Sequence, residues 1–275
     1  MKLVEKHILK NDFQAESLCN LSKELYNLAN FYLRQVFTGL STQEFFPSQE
    51  KALQDVISSL EEYNRFKKNN LESQKRRAKE KLKEETDPKK VENYQKILEK
   101  DFLEKKVSKE ESFLGYDFLN FFLRNSEEYK SLPSQTSQQV LQLLCKNWKS
   151  FFKSIKDWKK NPSKYLGRPK LPKYKEGLNI VIFTNQQCTL DKHTGKLKFP
   201  KKVLPMRKTK VDNICEVRVI PKTSHLVLEI VYEKKENNLV KNSNTFLSID
   251  PGINNLLTCA TNDTGLRPFV INGKI

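Results

Sequence analysis

The chain has 275 residues, 37% of them hydrophobic, enough for two or three domains with a buried core. Fifty Lys and Arg against thirty-three Asp and Glu give a formal net charge of +17, which implies a polyanionic partner, nucleic acid ahead of an acidic membrane surface. No apolar run reaches bilayer-spanning length and the start, M-K-L-V-E-K-H, lacks a signal-peptide core, so a cytoplasmic protein with no membrane partner is expected.

In chain order, Leu3, Val4, Ile8 and Leu9 among charges predict a first strand over residues 1–10 that pairs with sequence much further along. Asn11-Asp12 offers an N-cap. Leu18, Leu21, Leu25, Leu28, Tyr32 and Val36 then recur every three or four positions, predicting a helix with one buried face up to Gly39. Arg34 and Gln35 lie beside that face, open either to a structural role or to a phosphate or base edge. Residues 48–112 are densely charged, with sixteen basic and thirteen acidic residues between Glu61 and Glu111, and Thr86-Asp87-Pro88 breaks them into two arms. Interleaved charge predicts a protruding antiparallel helical hairpin with solvated faces, and RNA contact by Lys75, Arg76 and Arg77 is the alternative.

Tyr116 to Leu123 reads as a short aromatic helix. After Leu132-Pro133-Ser134, the residues Val140, Leu144, Trp148, Phe151, Ile155 and Trp158 form a wide apolar stripe that must pack on another helix. Gln135, Gln138 and Gln139 at that helix's start are candidate base-edge or phosphate donors, or simply solvated. From Lys146 to Glu176 there are eleven basic residues and two acidic ones. Prolines 162, 169 and 172 make Asn161 to Tyr174 an extended connector, and an extended cationic track suits a phosphate backbone. Its candidate contacts are Lys156, Lys159, Lys160, Lys164, Arg168, Lys170, Lys173 and Tyr174, because so uneven a charge repels itself unless an anion neutralises it.

Residues 178–234 change period: Leu178 to Thr184, Cys188 to Leu190, Lys196 to Phe199, Ile214 to Ile220 and Leu226 to Tyr232 read as strands of an antiparallel barrel or sandwich. Lys196 to Lys210 holds seven basic residues and no acid, a second cationic patch with Lys201, Lys202, Arg207 and Lys208. Lys241 to Asn244 is polar and reads as a linker. Phe246 to Asp250 is a predicted central strand, Pro251-Gly252 turns the backbone, and Leu256 to Thr261 and Pro268 to Ile271 are further strands. Asp250 at a strand exit suits either an ordinary turn or a ligand for Mg²⁺, which needs several oxygens in near-octahedral array. The five cysteines, 19, 145, 188, 215 and 259, are scattered without C-x-x-C spacing, so no zinc is expected. His7, His193 and His225 lie in unrelated segments. Dinucleotide and P-loop fingerprints are absent, as are serine or cysteine nucleophile arrangements.

Four stretches carry a resemblance: Leu25 to Gln35 (L-Y-N-L-A-N-F-Y-L-R-Q), Leu132 to Leu144 (L-P-S-Q-T-S-Q-Q-V-L-Q-L-L), Gly167 to Tyr174 (G-R-P-K-L-P-K-Y) and Ile249 to Thr258 (I-D-P-G-I-N-N-L-L-T). In this order they resemble the TnpB family of transposon-encoded RNA-guided DNA endonucleases, to which type V CRISPR effectors are similar. The resemblance implies an α+β fold: a helical recognition lobe (11–160, hairpin about 48–112) inserted in a wedge-like antiparallel β-barrel (1–10 and 161–245), then the first strands of an incomplete RNase H-like (RuvC) domain (246–275). It implies guide RNA and double-stranded target DNA as partners, and a part in transposition. In the family the first Asp, matched by Asp250, binds Mg²⁺ with a later Glu and a later Asp, which match nothing before Ile275. Mg²⁺ is therefore expected only if those carboxylates are supplied, by a complementary C-terminal nuclease polypeptide, and no DNA cleavage is expected from the chain alone. The zinc-binding cysteines common in the family lie later than this sequence reaches. The alternative is a non-catalytic RNA-binding protein in which the Asp250 turn is incidental.

Overall fold

The computed structural model describes residues 1–41, 46–234, 245–253 and 255–273. The chain is α+β, and its contacts divide it into two compact units, Lys2–Lys234 and Lys235–Ile275, the latter grouped with Met1. The linker expected at 241–244 lies outside the described residues.

In the first unit, β1 (Lys2–Leu9) precedes six helices: α1 (Phe13–Gly39), α2 (Pro47–Leu82), α3 (Pro88–Leu98), α4 (Gly115–Leu123), α5 (Glu127–Lys130) and α6 (Ser134–Lys160). Strands β2 (Val181–Thr184), β3 (Thr189–Asp191), β4 (Lys196–Lys198), β5 (Arg207–Lys208), β6 (Ile214–Pro221) and β7 (Leu226–Glu233) follow. One antiparallel sheet has the order β1-β7-β6-β2, so the helices fall in sequence between its two edge strands. Leu9 pairs with Leu226 and Lys2 with Glu233, across more than two hundred residues of chain. A second sheet, β3-β4-β5, is small. The barrel suggested by the change of period is thus two open sheets among the described residues.

Two helix starts have a clear local cause. Asp12 caps α1 by accepting the Ala15 amide at 3.1 Å, satisfying one of the orphan N–H groups of the first turn. Asp87 does the same for α3 through Lys89 N at 3.0 Å, with Pro88 as the first helical residue. Thr86-Asp87-Pro88 therefore breaks the charged region where expected, but its second arm stops at Leu98. Residues 101–107 instead return irregularly along α2, where Asn64 both donates to Lys105 O and accepts from Lys105 N at 2.9 Å. An amide that satisfies both backbone groups of one residue replaces the hydrogen bonds a longer helix would have made.

The core is contiguous from the helices into the sheet. Trp148, Leu144 and Leu141 of α6 are fully buried with Leu25, Tyr26 and Leu33 of α1, and with Val181, Phe183, Val217, Val219 and Ile230 of the sheet. Phe37, Trp148, Phe151 and Phe152 meet edge-on or tilted at 5.4–5.9 Å between centroids. Tyr63 of α2 meets Phe118 and Phe121 of α4 in the same way, at 5.3 and 5.4 Å. Such pairs add about 0.5–1.5 kcal/mol each beyond the area they bury.

The second unit is an antiparallel sheet in the order β10 (Phe269–Ile271), β9 (Leu257–Thr261), β8 (Leu247–Pro251). Asp250 lies on β8, opposite Thr258. Among the described residues, the strand expected to be central is an edge, and β9 holds the middle position. The short apolar run Phe246, Leu247 and Ile249 cannot distinguish the two, because strand-forming residues occur on edge and central strands alike.

Candidate nucleic-acid interface

The acid-poor segment found in the sequence comprises the outer face of α6 and the connector that follows it. Along α6, Lys146, Lys149, Lys153, Lys156 and Lys160 are spaced three, four, three and four residues apart and are all exposed. At 1.5 Å of rise per residue they line one face of the helix over about 20 Å. None forms an ion pair among the described residues. Lys159 is exposed beside them and likewise unpaired. The opposite face carries Val140, Leu144 and Trp148, all buried, with Phe151, Ile155 and Trp158 half-buried. The one acid on this length of helix, Asp157, is engaged. It accepts from Tyr165 Oη at 2.7 Å, Lys164 Nζ at 3.0 Å and Asn161 Nδ2 at 3.4 Å. These donors, Tyr165 first, hold its carboxyl at about 2, well below the usual range. It therefore stays charged at any ordinary pH and pins the chain as it leaves the helix.

The connector, expected to be extended from Asn161, opens instead with a 3-10 turn at Pro162–Lys164. It is closed by Lys164 N to Asn161 O at 3.3 Å and Tyr165 N to Pro162 O at 3.1 Å, because Pro162 starts a helical turn without needing an N–H partner. Further on, the connector is held by α1. Running antiparallel to the helix, it meets a ladder of polar side chains. Arg34 donates to Pro172 O at 2.8 Å, and Asn30 to Pro172 O at 3.1 Å and Lys173 O at 3.3 Å. Asn27 exchanges two bonds with the Lys175 backbone at 2.9 and 2.8 Å. Ser22 donates to Ile180 O at 2.8 Å, and Asn179 N to Cys19 O at 3.2 Å. Asn30, fully buried, also accepts the Trp148 indole N–H at 2.9 Å, which joins α1, α6 and the connector through one amide. α1 satisfies the connector backbone at Pro172, Lys173 and Lys175, and Arg168, Lys170, Lys173 and Lys175 are exposed along it.

The expected contact residues divide into two groups. Lys156, Lys159, Lys160, Arg168, Lys170 and Lys173 lie on the α6 face and the connector, exposed and without ion pairs among the described residues. Others have structural partners. Lys164 is bound to Asp157, and the Arg34 guanidinium sits 5.2 Å from the Tyr174 ring centroid. Gln135 is tied to Thr184 and, at 3.5 Å, to Gln186, linking the start of α6 to the end of β2. Gln138 and Gln139 are half-buried beside it. Arg207 pairs with Asp12 at 2.7 Å, so the N-cap of α1 is also the anchor of β5. Lys201 and Lys202 are exposed in a short 3-10 turn with positive φ, and Lys208 is exposed directly across from Lys196. Two like charges face to face on a small sheet repel unless an anion lies over them. Lys75, Arg76 and Arg77 project from α2, with Lys75 half-buried and both arginines exposed.

The sequence singled out Arg34, whose structural role as a donor to Pro172 O is the one found, but not Lys146, Lys149 and Lys153, nor Asn27 and Asn30 of the ladder. The three-four recurrence of lysines was present as a signal, opposite the apolar stripe. The two asparagines had none, since their connector partners lie about 140 residues away.

Asp250 is exposed, and among the described residues no group of three His, Cys, Asp or Glu side chains comes together. One exposed carboxylate opposite a threonine supplies too few of the oxygens that Mg²⁺ requires, so the described residues do not by themselves fit that ion. All five cysteines are free, and burial pushes the Cys19, Cys145 and Cys188 thiols up to about 12, leaving them neutral and poor ligands. No helix is long and apolar enough to cross a membrane, among the described residues. No protein-family model matches the chain, and no curated protein matches it.

Proposed function

We propose that this chain is the nucleic-acid-binding portion of a TnpB-type, transposon-associated protein, holding a guide RNA and a double-stranded target DNA in the cytoplasm. The observation that carries the reading is the unpaired lysine face of α6 continuing into a connector that α1 holds at Pro172 and Lys173 and along which Arg168, Lys170 and Lys173 are exposed. Phosphate neutralisation by such a surface releases condensed counterions, which supplies affinity without reading sequence. The sheet interrupted by a helical insertion between β1 and β2 supports a wedge-like assignment, and the three-stranded unit with Asp250 supports the opening of a RuvC-type domain.

Titrating KCl against the binding of a labelled structured RNA tests this. The expected result is a steep linear fall of log K with log salt, at about 0.9 per phosphate contact on duplex and about 0.7 on single strands. Absent binding at moderate ionic strength contradicts it.

A second reading, a purely RNA-binding protein with no part in a nuclease, is favoured by the exposed position of Asp250, with no metal-holding group around it among the described residues. The two readings differ in one assay. Incubated with Mg²⁺, matching guide RNA and target plasmid, the chain alone is expected not to cut, and cutting by it refutes this. When the polypeptide carrying the missing carboxylates is added, the nuclease reading expects cutting that Asp250→Ala abolishes. The RNA-binding reading expects none.

A further inference from the structure

Between α6 and the connector lies a cleft of about 440 Å³, within the range of small-ligand sites. On one wall α6 presents Asn147, Ser150 and Ser154, three and four residues apart and adjacent to the lysine face. The other wall is the connector, with Lys170, Lys173 and Lys175 and the ring of Tyr174. No carboxylate lines it.

We propose that this cleft receives the base of an unpaired nucleotide, stacked on Tyr174, with the flanking phosphates on the connector and α6 lysines. The inference rests on the nucleic-acid reading above and adds a preference for single strands. Tyr174 is 40% exposed although its neighbours on either side of the ladder are tied down. The Arg34 guanidinium, 5.2 Å from the ring centroid and fixed by Pro172 O, orients the ring before any ligand arrives. Asn147 is likewise oriented, donating to Tyr26 Oη at 3.0 Å, and Lys175 sits 5.4 Å from the Tyr26 ring. An oriented aromatic ring surrounded by hydroxyl, amide and ammonium groups matches a base with its sugar and phosphate. A base inside a duplex is already stacked on both faces and cannot reach such a ring; an unpaired one can.

The test is fluorescence anisotropy with the full chain at one salt concentration, using labelled oligothymidylate and a duplex of equal length. Tyr174→Leu is expected to weaken oligothymidylate binding about 5- to 100-fold and duplex binding by a clearly smaller factor, with the salt slope unchanged, since stacking contributes about 1–3 kcal/mol per base. Tyr174→Phe keeps the ring and is expected to bind as the unaltered chain does. Oligonucleotides carrying 2-aminopurine give a second reading that needs no variant: the unaltered chain is expected to quench the stacked base. Unchanged oligothymidylate affinity in a folded Tyr174→Leu chain, equal loss on both ligands, or no quenching overturns the cleft assignment. If neither nucleic acid binds at all, the reading beneath it fails as well.

Discussion

Asn30 is fully buried and ties α1, α6 and the connector together. Its amide accepts from Trp148 and donates to the backbone at Pro172 and Lys173, so Asn30→Ala leaves a buried indole N–H without an acceptor and frees the connector. An unsatisfied buried polar group costs about 1–3 kcal/mol. Thermal denaturation of Asn30→Ala is expected to show a loss of that size, with faster proteolysis around Lys170–Lys175 than elsewhere. A midpoint within error of the unaltered chain would remove the ladder from the account. Nothing in the sequence around position 30 marks this role. The apolar recurrence at Leu18, Leu25 and Val36 indicates the buried stripe correctly, whereas a polar residue inside a helix looks the same whether its partner is water or a segment 142 residues away.

Among the elements, α6 was the most legible, because both of its faces follow the helical period. Val140, Leu144 and Trp148 fill the core, while the lysines between them are set on the opposite side. Replacing Lys149, Lys153 and Lys156 together by Gln removes three exposed, unpaired charges and no packing. RNA affinity is expected to fall with the salt slope lower by about two to three, while the thermal midpoint stays put, since surface changes away from special features move stability by less than about 0.5 kcal/mol. An unchanged slope would place the phosphate contacts elsewhere. Less legible were the elements that depend on distant pairing. The two-residue strand β5 looked only like part of a basic run, because Arg207 and Lys208 become a strand by pairing with Leu197 and Lys196 and by the bond from Arg207 to Asp12. The second hairpin arm was read too long for the same reason: Asn64 captures the backbone at Lys105, and charge interleaving carries no trace of it.

At the level of the whole molecule, the net charge of +17 is spread over a chain several of whose acids are engaged internally. Asp12 caps α1 and binds Arg207, Asp157 collects Lys164 and Tyr165, and Asp191 pairs with Lys198 at 3.5 Å. The uncompensated charge is concentrated in two places, α6 with the connector and the Lys196–Lys210 patch, and these are where self-repulsion most needs an anionic partner. The order of strands and helices was readable from alternating and three-four periods. Whether the strands close into a barrel, and whether Asp250 sits on a central or an edge strand, depends on pairings that period alone does not encode. Ultraviolet cross-linking of bound RNA, followed by mass spectrometric mapping of the attached peptides, tests the central claim most directly. The account predicts adducts concentrated within residues 146–175, with Tyr174 among them, and few on the charged helix around Arg76 and Arg77; adducts concentrated on that helix, with 146–175 unlabelled, would contradict it.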